Sequence, residues 1–173
     1  LASAVGNDVL GTRATEHIKA LGLKTDYVSV LDGLQTGECV VTLDEKSVPK
    51  YNILENVAYD QISLPVTLNQ TFDVIAFGTL ALRSKQNVEA LECVLRNNTF
   101  GEIYTDLNIR PPFYSKESIE FCLANATIVK ISDEELALVT LQLFGKNVAC
   151  ADAYDLIAQN YPKIKLILIT QGE

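Results

Sequence analysis

The sequence predicts an α/β fold: a mainly parallel sheet with flanking helices, plus a small antiparallel sheet. Three observations point there. From Phe72 onward, short apolar runs alternate with longer stretches of helical periodicity, and strands separated by helices must run parallel. Residues 25–59 instead hold three β-favouring runs with no helical stretch between them, which predicts a small antiparallel sheet. At 173 residues and 48% hydrophobic content, the chain is one domain or most of one, long enough for a real core.

The elements follow in order. In residues 8–21, Val9, Leu10, Ala14, Ile18 and Leu21 form a helical stripe. Asp8 suits the cap at its start and Gly22 the turn at its end. Tyr27 to Leu31, Cys39 to Leu43 and Tyr51 to Leu54 are the three β-favouring runs, and the polar stretch from Asp44 to Pro49 turns between the second and third. Residues 73–77 read as a strand. Ser84 caps a helix to about Arg96, with Val88, Leu91, Val94 and Leu95 inward. Strands at 102–107, 127–131 and 163–170 alternate with helices at 115–123, 132–144 and 147–159.

Composition narrows the function. Fourteen Lys and Arg against 22 Asp and Glu leave a formal charge of −8, which argues against nucleic acid and anionic membrane as partners. It leaves ATP open, because a phosphate site needs only local donors and a metal. No apolar run approaches a membrane span. Cys39, Cys93, Cys122 and Cys150 lack zinc-site spacing and follow no signal peptide, so they read as buried, reduced thiols of a cytoplasmic protein. Neither a P-loop nor a dinucleotide-binding glycine pattern is present, and no Ser or Cys nucleophile motif occurs. The chain starts at Leu1 and contains no Met, as expected of part of a longer protein.

The richest stretch is Tyr104 to Tyr114. A strand runs into Pro111-Pro112, which stop it because neither donates to a ladder. Asp106, Asn108 and Arg110 alternate, so an extended backbone points all three the same way. That predicts a polar cluster at a strand's carboxyl end, where open α/β sheets bind ligands. Set beside Arg110, Asp106 is expected to be a weak base. Ser132 and Glu135 have capping-box spacing. Gly78 follows a strand, where it permits a turn or a close backbone approach. His17, between Glu16 and Lys19, reads as surface, as does Arg83.

Asp106-Leu-Asn-Ile-Arg-Pro-Pro-Phe-Tyr114 resembles the Asp-x-Asn-x-Arg-Pro-Pro-x-Tyr segment of ribokinase-like (PfkB) sugar kinases, in particular the fructokinase branch. Other stretches agree in the family's order. They are Ala4-Val-Gly-Asn-Asp8-x-x-Gly11, Thr36-Gly37, Phe77-Gly-Thr-Leu-Ala81 with Arg83, Lys130-Ile-Ser-Asp-Glu-Glu135, and Thr170-Gln-Gly172. The resemblance implies a ribokinase-like fold and ATP-dependent phosphorylation of a sugar hydroxyl, with Mg²⁺. Residues 1–173 would be part of the kinase domain, with 25–59 a β-lid that pairs with a second subunit's lid in a homodimer. Arg110 would be the catalytic cation and also bind substrate, with Thr36, Gly37, Gly78, Asp106 and Asn108; Tyr51, on the returning lid strand, is placed to stack on a sugar face or to pack the lid. Lys130, Ser132, Glu135, Thr170 and Gly172 would serve ATP, with Glu135 organising the metal. Ser132 stands where the family usually has asparagine. The family's base is the aspartate of a Gly-Ala-Gly-Asp segment. Neither that segment nor the family's amino-terminal Gly-Gly pair occurs here, so these residues alone are expected to be inactive. Two alternatives stand beside this reading: a non-catalytic sugar- or nucleotide-binding module, and a 2-keto-3-deoxygluconate kinase whose Arg110 binds a carboxylate.

Overall fold

A computed structural model of the chain describes residues 1–45, 47, 49–68, 71–146 and 148–171. The chain divides into two units, Leu1–Val66 with Ser84–Arg96, and Thr67–Arg83 with Asn97–Glu173.

In the first unit, strand β1 (Ala2–Gly6) leads into helix α1 (Val9–Ala20) and strand β2 (Tyr27–Leu31). β1 and β2 pair in parallel, with Ala2 opposite Tyr27 and Gly6 opposite Leu31. Strands β3 (Cys39–Leu43) and β4 (Pro49–Ile53) form an antiparallel pair. This corrects the three-stranded expectation: Tyr27–Leu31 joins β1, and only the two later runs make the antiparallel sheet. Lys46 and Val48, within the polar stretch between them, lie outside the described residues. The helical stripe of α1 is also less covered than its pattern predicts: Val9 and Leu21 are exposed, and Gly11 is the buried residue of the helix. Helix α2 (Lys85–Asn97) is tied to the 3-10 turn Ala58–Gln61 through buried Asn87. Its amide donates to the Tyr59 carbonyl and its carbonyl oxygen accepts from the Ile62 N–H, each at 2.8 Å. Ser84 donates its hydroxyl to the Asp60 carbonyl.

The second unit matches the predicted alternation. Strands β5 (Phe72–Phe77), β6 (Phe100–Asp106), β7 (Ile128–Ser132) and β8 (Leu166–Thr170) pair in that order, all in parallel. Helix α3 (Lys116–Asn125) follows β6; α4 (Asp133–Phe144) and α5 (Cys150–Asn160) follow β7. The expected start of α5 at Asn147 lies outside the described residues. Leu107, Ile119, Leu123, Ile131, Leu136 and Ile157 are fully buried and form the centre of this unit. Side chains of this kind each contribute about 1.5–3 kcal/mol when removed from water. The thiols are mixed: Cys122 is buried, but Cys39 is exposed on β3, contrary to the expectation that all would be buried.

Candidate functional site

The candidate site of the second unit lies at the carboxyl ends of its strands. β6 ends at Asp106, and the following loop is held at several points. The Leu107 N–H donates to the Lys130 carbonyl at 3.1 Å, which extends the β6–β7 pairing by one residue. The Leu107 carbonyl accepts from both the backbone N–H and the hydroxyl of buried Thr79, at 3.3 and 2.7 Å. Asn108 then takes a left-handed backbone, φ 41°. The Ile109 N–H donates to Glu135 Oε1 at 2.6 Å. Beyond the two prolines, the Phe113 N–H returns to the Arg110 carbonyl at 2.7 Å, and the Arg83 guanidinium sits 4.9 Å from the centre of the Phe113 ring.

β6 ends at Asp106 and Asn108 is left-handed, yet burial still alternates as the sequence predicts: Thr105, Leu107 and Ile109 are buried, and the residues between and after them are more exposed. Asp106 is half-buried, while Asn108 and Arg110 are exposed. Asp106 pairs with Lys130, its register partner on β7. The ammonium reaches both carboxylate oxygens, at 2.9 and 3.0 Å. That hydrogen bond is the main cause of an upward shift of the Lys130 pKa, opposed by desolvation. Lys130 is thus the established neighbour of Asp106, a pairing that the sequence pattern did not suggest.

Gly78 serves the same edge. A Cβ there would stand 2.3 Å from the Asp106 carbonyl oxygen, so what its missing side chain admits is the end of β6. Ser132 and Glu135 form the predicted capping box. Ser132 Oγ accepts from the Glu135 N–H at 3.1 Å, and Glu135 Oε2 accepts from the Ser132 N–H at 2.9 Å. Both Glu135 oxygens therefore already take a backbone amide. Thr170 ends β8 in register with Ser132, and Gly172 lies outside the described residues. Among the described residues, no group of three or more His, Cys, Asp or Glu is placed to hold a metal ion.

In the first unit, Thr36 and Gly37 are anchored to the turn before α1. Asp8 caps α1 by accepting from the Gly11 N–H at 2.7 Å. The same carboxylate accepts from the Thr36 N–H at 2.8 Å and from the Thr36 hydroxyl at 2.7 Å. That hydroxyl in turn accepts from the Gly6 N–H at 2.9 Å. These bonds hold the Asp8 carboxyl below the usual aspartate range, the Thr36 N–H contributing most. Gly37 lies against Tyr59, whose ring would be 2.4 Å from a Cβ. A groove of about 720 Å³ runs beside this pair, lined in part by Arg13, His17 and Cys39. Tyr51 stands exposed on β4 opposite Val41.

Two contacts at this edge are not marked by the sequence pattern. Arg83, expected at the surface, stacks on Phe113, and nothing in their spacing marks the pair. Thr79 is fully buried with its hydroxyl on the Arg110 loop; its place after Gly78 was the available hint.

The pfkB family carbohydrate kinase model matches residues 1–173. No curated protein sequence matches the chain significantly. Among solved structures, the fructokinase from Xylella fastidiosa superposes with a TM-score of 0.81 at 18% identity, over 99% of this chain and 55% of that one. The apo fructokinase from Vibrio cholerae O395 gives 0.79 at 19%, over 99% and 60%. The Xylella fastidiosa fructokinase with bound ATP gives 0.79 at 18%, over 98% and 54%. The chain spans little more than half the length of these structures. Their likeness carries the fold, which is the ribokinase-like α/β fold with parallel sheets, flanking helices and a small antiparallel pair. The chain belongs to the pfkB family of carbohydrate kinases.

Proposed function

We propose that the intact protein transfers the γ-phosphoryl group of ATP to a sugar hydroxyl, with fructose the leading acceptor. The observation that carries this reading is the loop from Leu107 to Phe113, fastened at the carboxyl edge of a parallel sheet with Arg110 exposed on it. Such an edge is where open α/β sheets take ligands, and a guanidinium fork suits phosphate or sugar oxygens. Arg110 would neutralise charge on the transferring group, with Asp106, Asn108 and Gly78 at the sugar. In the first unit, Thr36, Gly37 and Tyr51 are the sugar-contact candidates; Thr36 has already committed its proton to Asp8 and retains only acceptor capacity. Lys130, Ser132, Glu135, Thr170 and Gly172 are assigned to the nucleotide.

Bound Mg²⁺ would offset phosphate charge and polarise the transferring group. Glu135 could reach its water shell with the lone pairs left free by the two amides. The β3–β4 pair is the candidate lid. Cys39, Val41 and Leu43 stand opposite Ile53, Tyr51 and Pro49, so one face of the pair is largely apolar, and a second lid would cover its aliphatic part in a cytoplasmic homodimer.

The test is a coupled ADP-release assay on the intact protein with fructose, ribose and 2-keto-3-deoxygluconate, with sedimentation of the same sample. Fructose turnover that falls about a hundredfold or more in Arg110→Ala, by a dimer, is the expected result. No turnover with any sugar overturns the kinase reading and leaves the binding-module alternative. Preference for 2-keto-3-deoxygluconate moves Arg110 to a carboxylate. A monomer removes the lid pairing.

A further inference from the structure

We infer that Glu135 is a positioning residue for the Arg110 loop, ahead of any part it plays at a metal. The inference deepens the kinase reading and rests on it only for the ligand. Three observations carry it. The Glu135 carboxylate is divided between two backbone donors: Oε2 takes the Ser132 N–H at 2.9 Å and Oε1 the Ile109 N–H at 2.6 Å. The first closes a local capping box. The second spans 26 residues to a loop that belongs to no helix or strand. Ile109 and Leu107 are buried, while Asn108 and Arg110, between and beyond them, are exposed. The backbone of this loop is therefore pinned on alternate residues, and the pin adjacent to Arg110 is the Glu135 carboxylate.

The chemistry needs an acidic residue here. A glutamine offers one acceptor oxygen and an NH₂ group that can only donate. It can serve Ser132 or Ile109 in this geometry, but not both. An aspartate keeps two acceptors on a shorter arm, which cannot keep both ends at once. The side chain thus sets where α4 begins and where the guanidinium-bearing residue sits in a single step. A displacement of about 1 Å at such a residue is enough to cost up to a hundredfold in a phosphoryl transfer that depends on alignment.

The experiment uses the intact protein in three forms: wild type, Glu135→Ala and Ser132→Ala. Amide hydrogen exchange at Ile109 and Ser132 is followed by NMR, and steady-state kinetics are run with separate titrations of sugar and Mg²⁺. Glu135→Ala, which removes both acceptors, is expected to speed exchange at Ile109 about tenfold or more. It should also change the sugar KM or kcat about tenfold or more, with a smaller change in the Mg²⁺ concentration for half-maximal rate. Ser132→Ala, which weakens the cap but leaves the Ile109 contact, should leave Ile109 protected. The inference is overturned if Ile109 stays protected in Glu135→Ala, if Ser132→Ala exposes Ile109 equally, or if Mg²⁺ dependence shifts more than sugar dependence. Exchange is read without turnover. Should wild type phosphorylate no sugar, the kinase reading fails while the exchange result still decides whether the clamp exists.

Discussion

Two helix starts in this molecule use an acidic side chain for more than capping, and they do so differently. At α1, Asp8 is the N-cap itself, and its carboxylate also collects the Thr36 N–H and hydroxyl from 28 residues away. At α4, the work is split. Ser132 is the N-cap, and Glu135, three residues on, closes the box and reaches Ile109. The first arrangement is crowded: a Cβ on Gly11 would lie 2.1 Å from the Gly6 carbonyl oxygen and 2.9 Å from Thr36 Oγ1. The second uses a long side chain to reach a loop backbone. A short acid therefore demands that its partners come close, and glycines make the room. A long acid crosses the gap itself. The α1 start should be intolerant of added volume, and the α4 start sensitive to lost acceptors.

The largest expected effect tests the crowding. Gly11 lies within α1, where propensity alone makes Ala about 1 kcal/mol better than Gly. The geometry reverses that sign, because the new methyl meets a backbone oxygen that cannot rotate away. Gly11→Ala in the intact protein should lose about 3 kcal/mol in urea denaturation. Gly145, which ends α4 with φ 64° and open space around it, provides the contrast. Gly145→Ala there costs only the left-handed backbone penalty, about 1 kcal/mol. If Gly11→Ala is neutral or stabilising, the turn is looser than its distances imply and the contrast between the helix starts disappears.

These particulars also mark what the sequence could disclose. Ser132-x-x-Glu135 and Asp8 were legible as caps because capping is local and depends on spacing of three. The strand–helix order after Phe72 was legible for the same reason. Strand β1, Ala-Ser-Ala-Val-Gly, carries little β preference and escaped notice. Without it, Tyr27–Leu31 had no visible parallel partner and was grouped with β3 and β4. The Asp106–Lys130 pair depends on the register between β6 and β7, which neither strand's own residues declare. The Ile109–Glu135 contact joins residues 26 apart, from a loop to a helix start, and such a pairing leaves no periodic trace.

An intermediate effect concerns acid. The Asp8 carboxyl is held below its ordinary range, first by the Thr36 N–H, then by the Thr36 hydroxyl and the Gly11 N–H. A depressed folded pKa means that this contribution is fully present above the unfolded aspartate value, about 3.9, and is lost as pH falls through the folded value. Asp8→Asn should therefore flatten the stability profile below pH about 4, while amide exchange at Thr36 becomes faster at neutral pH. Thr36→Val leaves the buried Gly6 N–H without its acceptor and should cost about 2 kcal/mol. Thr36→Ser should restore most of that. An unchanged acid limb in Asp8→Asn would mean that Asp8 is not the group whose protonation loosens this turn.

The smallest expected effect lies at the Asp106–Lys130 pair, where the comparison turns from stability to function. The two side chains are 37% and 34% exposed, so water screens them and the pair should contribute less than about 1 kcal/mol. The Lys130 pKa is raised chiefly by its hydrogen bond to Asp106. That contribution is present below the unfolded lysine value, about 10.4, and disappears as pH rises through the higher folded one. Lys130→Met should therefore change the urea midpoint little at neutral pH, and less still in high salt. If Lys130 serves a nucleotide as proposed, its partly exposed ammonium has to exchange part of its pairing with Asp106 for a phosphate oxygen. Under the kinase reading, ATP should shift the Lys130 side-chain NMR signal, and Lys130→Met should weaken nucleotide binding far more than it weakens the fold. If the signal ignores ATP while the intact enzyme turns over, Lys130 serves only to join β6 to β7, and the nucleotide assignment rests on Ser132, Glu135, Thr170 and Gly172.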